Sequence, residues 1–242
     1  YSIVFWAMKC PTKGSIPRQS RPKDNTVKLS PMHYYRLWRD PWRKVFWSAY
    51  YKFRADNGEA KRMDLSFLKS NEVVFDFGGF KGEWALYAFN HNGPTVHVFE
   101  PHPTFAAAIA ERFKDNNKII SHALALGTAD GTLDLSDDGD ASSALTTREN
   151  AVTGRVQKAA NFLAKLEPPV ALAKLNIEGG EYDLLPALDQ ADWLRHIVKL
   201  QIQFHIYSED DIARRDAIHR TLEKTHTCDW EYPFVWEQWT LR

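Results

Sequence analysis

The chain has 242 residues, of which 44% are hydrophobic and 26% charged, as in ordinary globular domains that bury a sizeable core. No apolar run approaches the roughly 18 residues that a membrane-spanning helix needs, and Cys10 and Cys228 show no metal-ligand spacing. The net charge is zero, but residues 1–56 hold 12 Lys/Arg and 3 Asp/Glu, whereas residues 57–242 hold 19 and 28, so a basic arm precedes an acidic body.

Residues 1–56 are predicted to form a basic, aromatic-rich arm and helix in front of a domain that spans residues 57–242. Residues 9–31 are rich in Pro, Ser, Lys and Arg and predict a linker, whereas residues 32–55 predict a helix interrupted by Pro41. Aromatic and basic residues alternate in that helix. The pattern suits a helix packed by its aromatic face on the body, a lid over an acceptor pocket, or a helix lying on an anionic membrane.

From Asn71 onward, short apolar runs alternate with helical stretches, which predicts a doubly wound, mostly parallel α/β sheet. The predicted strands cover residues 72–76, 95–99, 118–124, 170–177 and 197–204. The predicted helices cover residues 82–91, 103–115, 151–165, 181–190 and 209–224. The remaining segments are a short apolar run at 132–135, a polar loop at 136–150 and a terminal β-hairpin at 226–241.

The first β-α-β unit has an acidic residue at the end of each strand. Asp76 ends the first strand, a turn with Gly78, Gly79 and Gly82 follows, and Glu100 ends the second strand. Turn glycines let the backbone approach a ligand, and a carboxylate at the second strand end accepts hydrogen bonds from ribose hydroxyls. A carboxylate beside the turn would repel a pyrophosphate, but it suits the ammonium and sulfonium of S-adenosylmethionine. The unit therefore predicts S-adenosylmethionine rather than a nicotinamide dinucleotide as cofactor.

Polar residues follow the fourth and fifth strands, whose carboxyl ends meet at the ligand-binding edge of an open α/β sheet. Strand alternation places Lys174, Asn176 and Glu178 on one face, with Glu178 at the mouth of the pocket, and the fifth strand brings His205 to the same edge. A carboxylate and an imidazole on neighbouring strand ends form a candidate general-base pair for deprotonating a hydroxyl. They are also metal-ligand types, but no third ligand is evident, so no metal site is predicted.

Six segments, in chain order, resemble the FkbM family of S-adenosylmethionine-dependent methyltransferases: VVFDFGGFKG, VHVFEPHP, ALALGTADGTLDL, ASSAL, AKLNIEGGEYDLL and LQIQFH. The resemblance covers about residues 71–205. It implies the class I methyltransferase (Rossmann-like) fold, with a seven-stranded, mostly parallel sheet that ends in an antiparallel C-terminal hairpin. It also implies methyl transfer, usually to oxygen, with sugars and other small hydroxylated natural products as frequent acceptors.

Carried over by position, the resemblance implies that Asp76, Gly78 and Gly82 form the cofactor loop and that Glu100 binds the ribose. The full predicted cofactor-binding set also includes Phe77, Gly79 and Pro101. The candidate catalytic residues are Glu178, His205 and Asn176. The chain departs from the family at Asn176, where the family usually has Asp. If that Asp binds a metal or acts as a base, the function is weakened here or transferred to Glu178.

The sequence therefore predicts an O-methyltransferase acting on a hydroxyl of a sugar, glycoconjugate or similar small natural product. The basic arm suggests a phosphorylated acceptor and leaves membrane contact open, while no nucleic-acid partner is expected. Two distant cysteines and a short, non-basic start are typical of a cytoplasmic protein. Two alternatives stay open: an N-methyltransferase or nicotinamide-dependent oxidoreductase on the same fold, and a nucleic-acid or membrane-surface binding module without turnover.

Overall fold

The structure is a computed structural model that describes residues 38–136 and 151–242. The linker predicted at residues 9–31 lies outside these ranges. So do the start of the helix predicted at 32–55 and nearly all of the polar loop predicted at 136–150.

A seven-stranded sheet forms the centre of the molecule. The strands of the described residues are β1 (Val73–Phe77), β2 (Thr95–Phe99), β3 (Ile119–His122), β4 (Ala125–Gly127), β5 (Gly131–Ser136), β6 (Ala151–Lys158), β7 (Val170–Leu175), β8 (Ile197–Ile202), β9 (His226–Tyr232) and β10 (Trp236–Leu241). The central sheet has the order β3-β2-β1-β7-β8-β10-β9. Its first five strands are parallel, and β10 pairs antiparallel with both β8 and β9. The predicted mostly parallel sheet with a terminal hairpin is confirmed.

Helices cover both faces of this sheet. They are α1 (Arg43–Ala55), α2 (Gly58–Arg62), α3 (Glu83–Phe89), α4 (Pro103–Arg112), α5 (Ala159–Leu163), α6 (Glu181–Gln190) and α7 (Asp210–Leu222), with a 3₁₀ turn at Leu194–His196. Successive residues of β1 point to opposite faces, so Val74 and Phe75 belong to two separate core clusters. α3 and α4 pack on the Val74 side, and α1, α5, α6 and α7 pack on the Phe75 side.

A second, three-stranded sheet in the order β4-β6-β5 is inserted in the chain between β3 and β7. The helix predicted at residues 151–165 is wrong in its first half, because Ala151–Lys158 is strand β6 and only Ala159–Leu163 is helical. β6 contains several β-branched residues, which favour strands, and it pairs antiparallel with all of β5. The apolar run predicted at 132–135 lies in β5.

Three parallel strands, β3, β7 and β8, end earlier than predicted, and β8 ends at Ile202. β3 ends at His122, because the chain leaves the central sheet there to form β4 in the second sheet. β7 ends at Leu175, because Glu178 and Gly179 adopt positive φ angles of 52° and 103° and turn the chain towards α6. The residues after β7 are therefore placed by a turn and not by strand alternation.

The predicted proline break lies at the start of α1, since Pro41 precedes the helix and Arg43 is its first residue. Phe46 and Phe53 of α1 are buried, and the Phe53 ring meets Tyr232 edge-on with 5.2 Å between centroids. This aromatic face packs on the body, as the first of the three alternatives expects. Within the described residues, none of the helices combines the length and apolar character that crossing a bilayer requires.

Candidate cofactor and acceptor site

The turn after β1 brings the backbones of two neighbouring strands into direct contact. Gly78 has a φ of +83°, and a Cβ built on it would lie 2.0 Å from the carbonyl oxygen of Asn176. The amides of Gly78 and Gly79 donate to the carbonyl oxygen of Phe99 at 3.0 and 3.3 Å. Glycine is required at position 78, because any side chain would collide with the Asn176 backbone and would disfavour this φ.

The rest of the turn is held against β2. A Cβ on Gly79 would lie 2.2 Å from Cγ1 of Val98, so the turn packs directly on that strand. Phe80 has a φ of +48°, which is uncommon for a non-glycine residue, and its amide donates to Oε2 of Glu100 at 2.8 Å. Gly82 then precedes the first residue of α3. The turn and the acidic residue after β2 thus form one hydrogen-bonded unit.

Glu100 directly follows β2, as predicted, and its carboxylate is oriented by two backbone amides. Oε2 accepts from Phe80, and Oε1 accepts from the amide of His102 at 2.9 Å. Burial raises the pKa of the Glu100 carboxyl, although both amide bonds oppose that shift. Each carboxylate oxygen can accept a further hydrogen bond, so Glu100 fits a ribose with two hydroxyls.

Phe77 and Pro101, which also belong to the predicted cofactor-binding set, lie on either side of this unit. Phe77 is buried in the core with its ring stacked on Phe99, 4.6 Å between centroids, so its side chain supports the strand ends. Pro101 lies against the second sheet, since a Cβ on Gly154 of β6 would be 2.8 Å from the Pro101 carbonyl oxygen. The second sheet therefore backs the segment that follows Glu100.

Asp76 is fully buried, and its carboxylate is paired with Lys174. The Lys174 ammonium donates to Oδ1 of Asp76 at 2.9 Å and to the carbonyl oxygen of Gly78 at 3.0 Å. Burial raises the pKa of the Asp76 carboxyl, and the Lys174 charge acts in the opposite direction. The sequence analysis placed Lys174 on one face of the fourth strand with Asn176 and Glu178 and gave it no role. The structure brings it into the cofactor loop.

Asn176 and Glu178 lie just beyond β7. The Asn176 amide donates to the carbonyl oxygen of Phe77 at 3.1 Å, which joins this turn to the end of β1, and its side chain is half-buried. Glu178 is also half-buried and has a left-handed φ of +52°. A glutamate in that conformation costs about 1–3 kcal/mol, so the surrounding contacts must hold it in place.

Those contacts come mainly from Glu181, a residue to which the sequence analysis gave no role. Its fully buried carboxylate accepts from the amides of Ile177 and Gly179, each at 2.9 Å. Its Oε1 also lies 2.9 Å from Nδ1 of His205, which is 3% exposed. One carboxylate therefore fixes both the turn that carries Glu178 and the imidazole after β8. Its sequence signal was an acid directly after the Gly179-Gly180 pair.

The charges at this edge are coupled. Burial lowers the pKa of His205, whereas the negative charges of Glu181 and, less strongly, Glu178 raise it. The two carboxylates outweigh burial, so the pKa of His205 lies above its ordinary value. Burial raises the pKa of the Glu178 carboxyl, with the His205 charge acting in the opposite direction. A His205 imidazolium paired with Glu181 is the arrangement that these shifts favour.

The predicted residues thus meet at the carboxyl edge of the central sheet in two linked halves. The half at β1 and β2 carries the glycine turn and Glu100, and the half at β7 and β8 carries Glu178 and His205. Asn176 connects them, because its carbonyl oxygen lies against Gly78 and its amide binds Phe77. The individual roles of these residues stay predictions.

The strand order, the antiparallel final hairpin, the glycine turn and the acid after β2 define a class I methyltransferase. Residues 76–231 match the family described as Methyltransferase FkbM domain, which is most of the chain. The chain belongs to this family of S-adenosylmethionine-dependent methyltransferases, which confirms the resemblance seen in its sequence.

Solved structures with this fold share few residues with the chain. One described as a "putative rRNA-methylase" from Clostridium thermocellum is 12% identical with a TM-score of 0.48, over 75% of this chain and 94% of that chain. Precorrin-6y C5,15-methyltransferase from Geobacter metallireducens is 14% identical with a TM-score of 0.41, over 76% of this chain and 86% of that chain. Fibrillarin from Methanococcus jannaschii is 11% identical with a TM-score of 0.44, over 72% and 67%. Values this low carry no argument about substrate, and no curated protein sequence matches the chain.

Proposed function

We propose that this methyltransferase acts on a hydroxyl of a sugar or glycoconjugate in the cytoplasm, with Glu178 as the group that accepts the hydroxyl proton. The observation that carries the proposal is the placement of a half-buried carboxylate at the carboxyl edge of the sheet, beside the buried, hydrogen-bonded Glu181–His205 pair. S-adenosylmethionine, when bound, supplies an electrophilic methyl group. The protein must then hold the acceptor hydroxyl and remove its proton.

Glu178 suits the base role better than His205. The imidazole is almost fully buried, and its Nδ1 is engaged by Glu181, whereas Glu178 is half-buried at the turn. Burial raises the pKa of Glu178, and a carboxylate with a raised pKa is a stronger base than an ordinary surface glutamate. In this arrangement His205 and Glu181 are positioning residues.

The rim next to His205 supports a cyclic, anionic acceptor. Tyr207 is 39% exposed, and its ring lies parallel to the His205 imidazole at 12° with 6.2 Å between centroids. The guanidinium of Arg214, whose side chain is 49% exposed, lies 4.1 Å over the ring of Tyr182. The hydroxyl of Tyr182 donates to the carbonyl oxygen of His205 at 2.7 Å. An aromatic surface beside a cation is suited to a sugar ring that bears a negative group.

The basic arm gives less support than its sequence suggested. Arg39 and Arg43 both bind the carboxylate of Asp40, at 2.8 and 3.2 Å, so part of their charge is already compensated. Arg214 at the rim likewise binds Oδ1 of Asp211 at 3.0 Å, so part of its charge is also compensated, and the preference for a phosphorylated acceptor stays a prediction from the sequence.

The first experiment offers methyl-labelled S-adenosylmethionine with UDP-glucose, UDP-N-acetylglucosamine and GDP-mannose, each beside its neutral methyl glycoside. Label is expected on an oxygen of at least one nucleotide sugar. Label on none of them, from protein that binds the cofactor, would refute the saccharide acceptor and leave the methyltransferase assignment intact.

Replacing Glu178 by Gln, measured with whichever sugar accepts label, is expected to lower kcat by about 100-fold or more, because the amide cannot accept the proton. Calorimetric affinity for S-adenosylhomocysteine should stay unchanged, since the Glu100 half of the site is untouched. Glu223→Gln, an exposed glutamate just after α7, is the matched control. Full activity in Glu178→Gln would remove Glu178 as the base.

A nucleic-acid acceptor is the second candidate, and one observation favours it. Trp38 is 77% exposed and Tyr51 39% exposed beside the basic residues of α1, and exposed aromatic and basic side chains together suit single-stranded RNA. Binding to a single-stranded RNA oligomer that falls steeply with salt, with label transferred to ribose, would favour this acceptor over free sugars.

A further inference from the structure

Lys174 makes an unusual set of contacts for a residue next to a cofactor loop. Its ammonium donates to Oδ1 of Asp76 at 2.9 Å, to the carbonyl oxygen of Gly78 at 3.0 Å and to that of Phe77 at 3.4 Å. Lys174 is 5% exposed and Asp76 is fully buried. The three contacts match the three N–H bonds of one ammonium, so its donor capacity is used.

This contact set engages two acceptors that a cofactor ammonium would otherwise use, Oδ1 of Asp76 and the carbonyl oxygen of Gly78. The Asp76 charge is balanced by Lys174, and the Gly78 carbonyl oxygen is already engaged. The second carboxylate oxygen, Oδ2, is sealed from solvent and has no hydrogen-bond donor among the described residues. The ring of Trp84 lies 5.8 Å from the Lys174 ammonium. A cofactor ammonium beside Asp76 would be repelled by the Lys174 ammonium. Only Oδ2 of the Asp76 carboxylate would be available to accept a hydrogen bond from it.

We propose that Asp76 does not bind the α-ammonium of S-adenosylmethionine, and that the buried Asp76–Lys174 pair is a positioning device for the cofactor loop. Lys174 extends from β7 and donates to the carbonyl oxygens of Phe77, the last residue of β1, and Gly78, the first residue of the turn. These contacts fix the position of the Gly78 backbone relative to Asn176. This inference rests on the cofactor and is independent of the proposed acceptor.

A double-mutant cycle with two ligands separates positioning from direct contact. The variants are Asp76→Asn, Lys174→Met and the combination of both. The ligands are S-adenosylhomocysteine, which has the α-ammonium, and 5′-methylthioadenosine, which lacks the amino-acid part. Affinities are measured by calorimetry. Lys199→Met, a half-buried lysine of neighbouring β8 that contacts Thr240, is the matched control.

Lys174→Met is expected to weaken both ligands by about tenfold or more, because it leaves a buried carboxylate without a partner and frees the loop. The double variant should recover both affinities to within about threefold of the parent, since a neutral amide beside a thioether needs no counter-charge. The ratio of the two affinities should be the same in the parent and the double variant. Lys199→Met should change neither ligand.

The opposite outcome is distinct. If Asp76 binds the ammonium, Asp76→Asn and the double variant will lose affinity for S-adenosylhomocysteine alone, and the affinity ratio will fall towards one. If Lys174→Met fails to fold, the ratio in the double variant still decides between the two cases. A folded parent that binds neither ligand would overturn the cofactor assignment itself, together with this inference.

Discussion

At the scale of single residues, the backbone contact between the turn after β1 and the turn after β7 is the most demanding feature of the site. Gly78 combines a left-handed φ with a 2.0 Å approach of its missing Cβ to the Asn176 carbonyl oxygen. The two nearest atoms belong to the Asn176 backbone, which cannot move aside as the end of a side chain could. The close contact therefore fixes the relative position of two backbone segments, one in the cofactor half and one in the acceptor half of the site.

Gly78→Ala is expected to abolish measurable S-adenosylhomocysteine binding and to lower the free energy of unfolding by about 1–3 kcal/mol or more, because it adds strain and pushes the two turns apart. Calorimetry and denaturant unfolding measure the two effects. Gly131→Ala is the control, since nothing lies within 4 Å of the Cβ it would add. Parent-like binding by Gly78→Ala would show that the turns do not meet as described.

At the scale of elements, α7 is joined to the terminal hairpin by a buried charge network. The Arg215 guanidinium binds Glu237 at 2.6 Å and also binds Glu231, and His219 lies 3.0 Å from Glu237. His219, Glu231 and Glu237 have the spacing of metal ligands, with donor atoms within 4.8 Å of one another. Arg215 already supplies the cation at this point, so we interpret the cluster as a structural bridge that fixes the hairpin.

Arg215→Met is expected to destabilise the protein by about 3–5 kcal/mol, because Glu237 would be left buried without its positive partner. Combining it with Glu237→Met should restore much of the loss, since neither charge would then need a partner. Chemical unfolding of both variants tests this, with Lys114→Met as the control for an exposed ion pair to Glu111. A loss in Arg215→Met no larger than in Lys114→Met would contradict the interpretation.

Some of these elements could be predicted from the sequence alone, and others could not. The five parallel strands and the hairpin were predictable, because each is a short apolar run between turn signals, and the family resemblance supplied the seven-stranded sheet with its antiparallel hairpin. β6 was missed because its strand pattern is weak and its pairing partner, β5, is separated from it by a polar segment. The pairing of Lys174 with Asp76 was missed because the two residues lie 98 positions apart in the chain. The register of Lys174 against β1 is visible only once the strands are paired.

At the scale of the whole molecule, acid sensitivity is expected from two histidines on neighbouring strands. Nδ1 of His97 on β2 lies 2.9 Å from Nε2 of His122 on β3, and their rings are stacked at 7°. Burial lowers the pKa of His97, and burial together with the His97 charge lowers the pKa of His122 to about 4. Both rings are therefore neutral in the folded protein over a pH range where the unfolded chain is protonated.

The unfolded state binds more protons between about pH 6.5 and 4, so the free energy of unfolding should fall as the pH falls through that window. His122→Phe removes the titrating group and should flatten this part of the profile. Denaturant unfolding at pH 7.5, 5.5 and 4.5, values chosen to span the window, gives the measurement. His97 and the buried His226, whose pKa values are also lowered by burial, contribute to the slope that remains. An equal slope in parent and variant would assign the sensitivity elsewhere.

The contact between Gly78 and the Asn176 carbonyl also has an evolutionary consequence. Every other amino acid at position 78 would add at least a Cβ. We therefore expect no amino-acid replacement of Gly78 to be tolerated during evolution. Change in acceptor range must instead come from side chains that project from the fixed frame, such as Tyr207 and Arg214. A library for altered substrate choice should therefore hold the frame constant and randomise that rim.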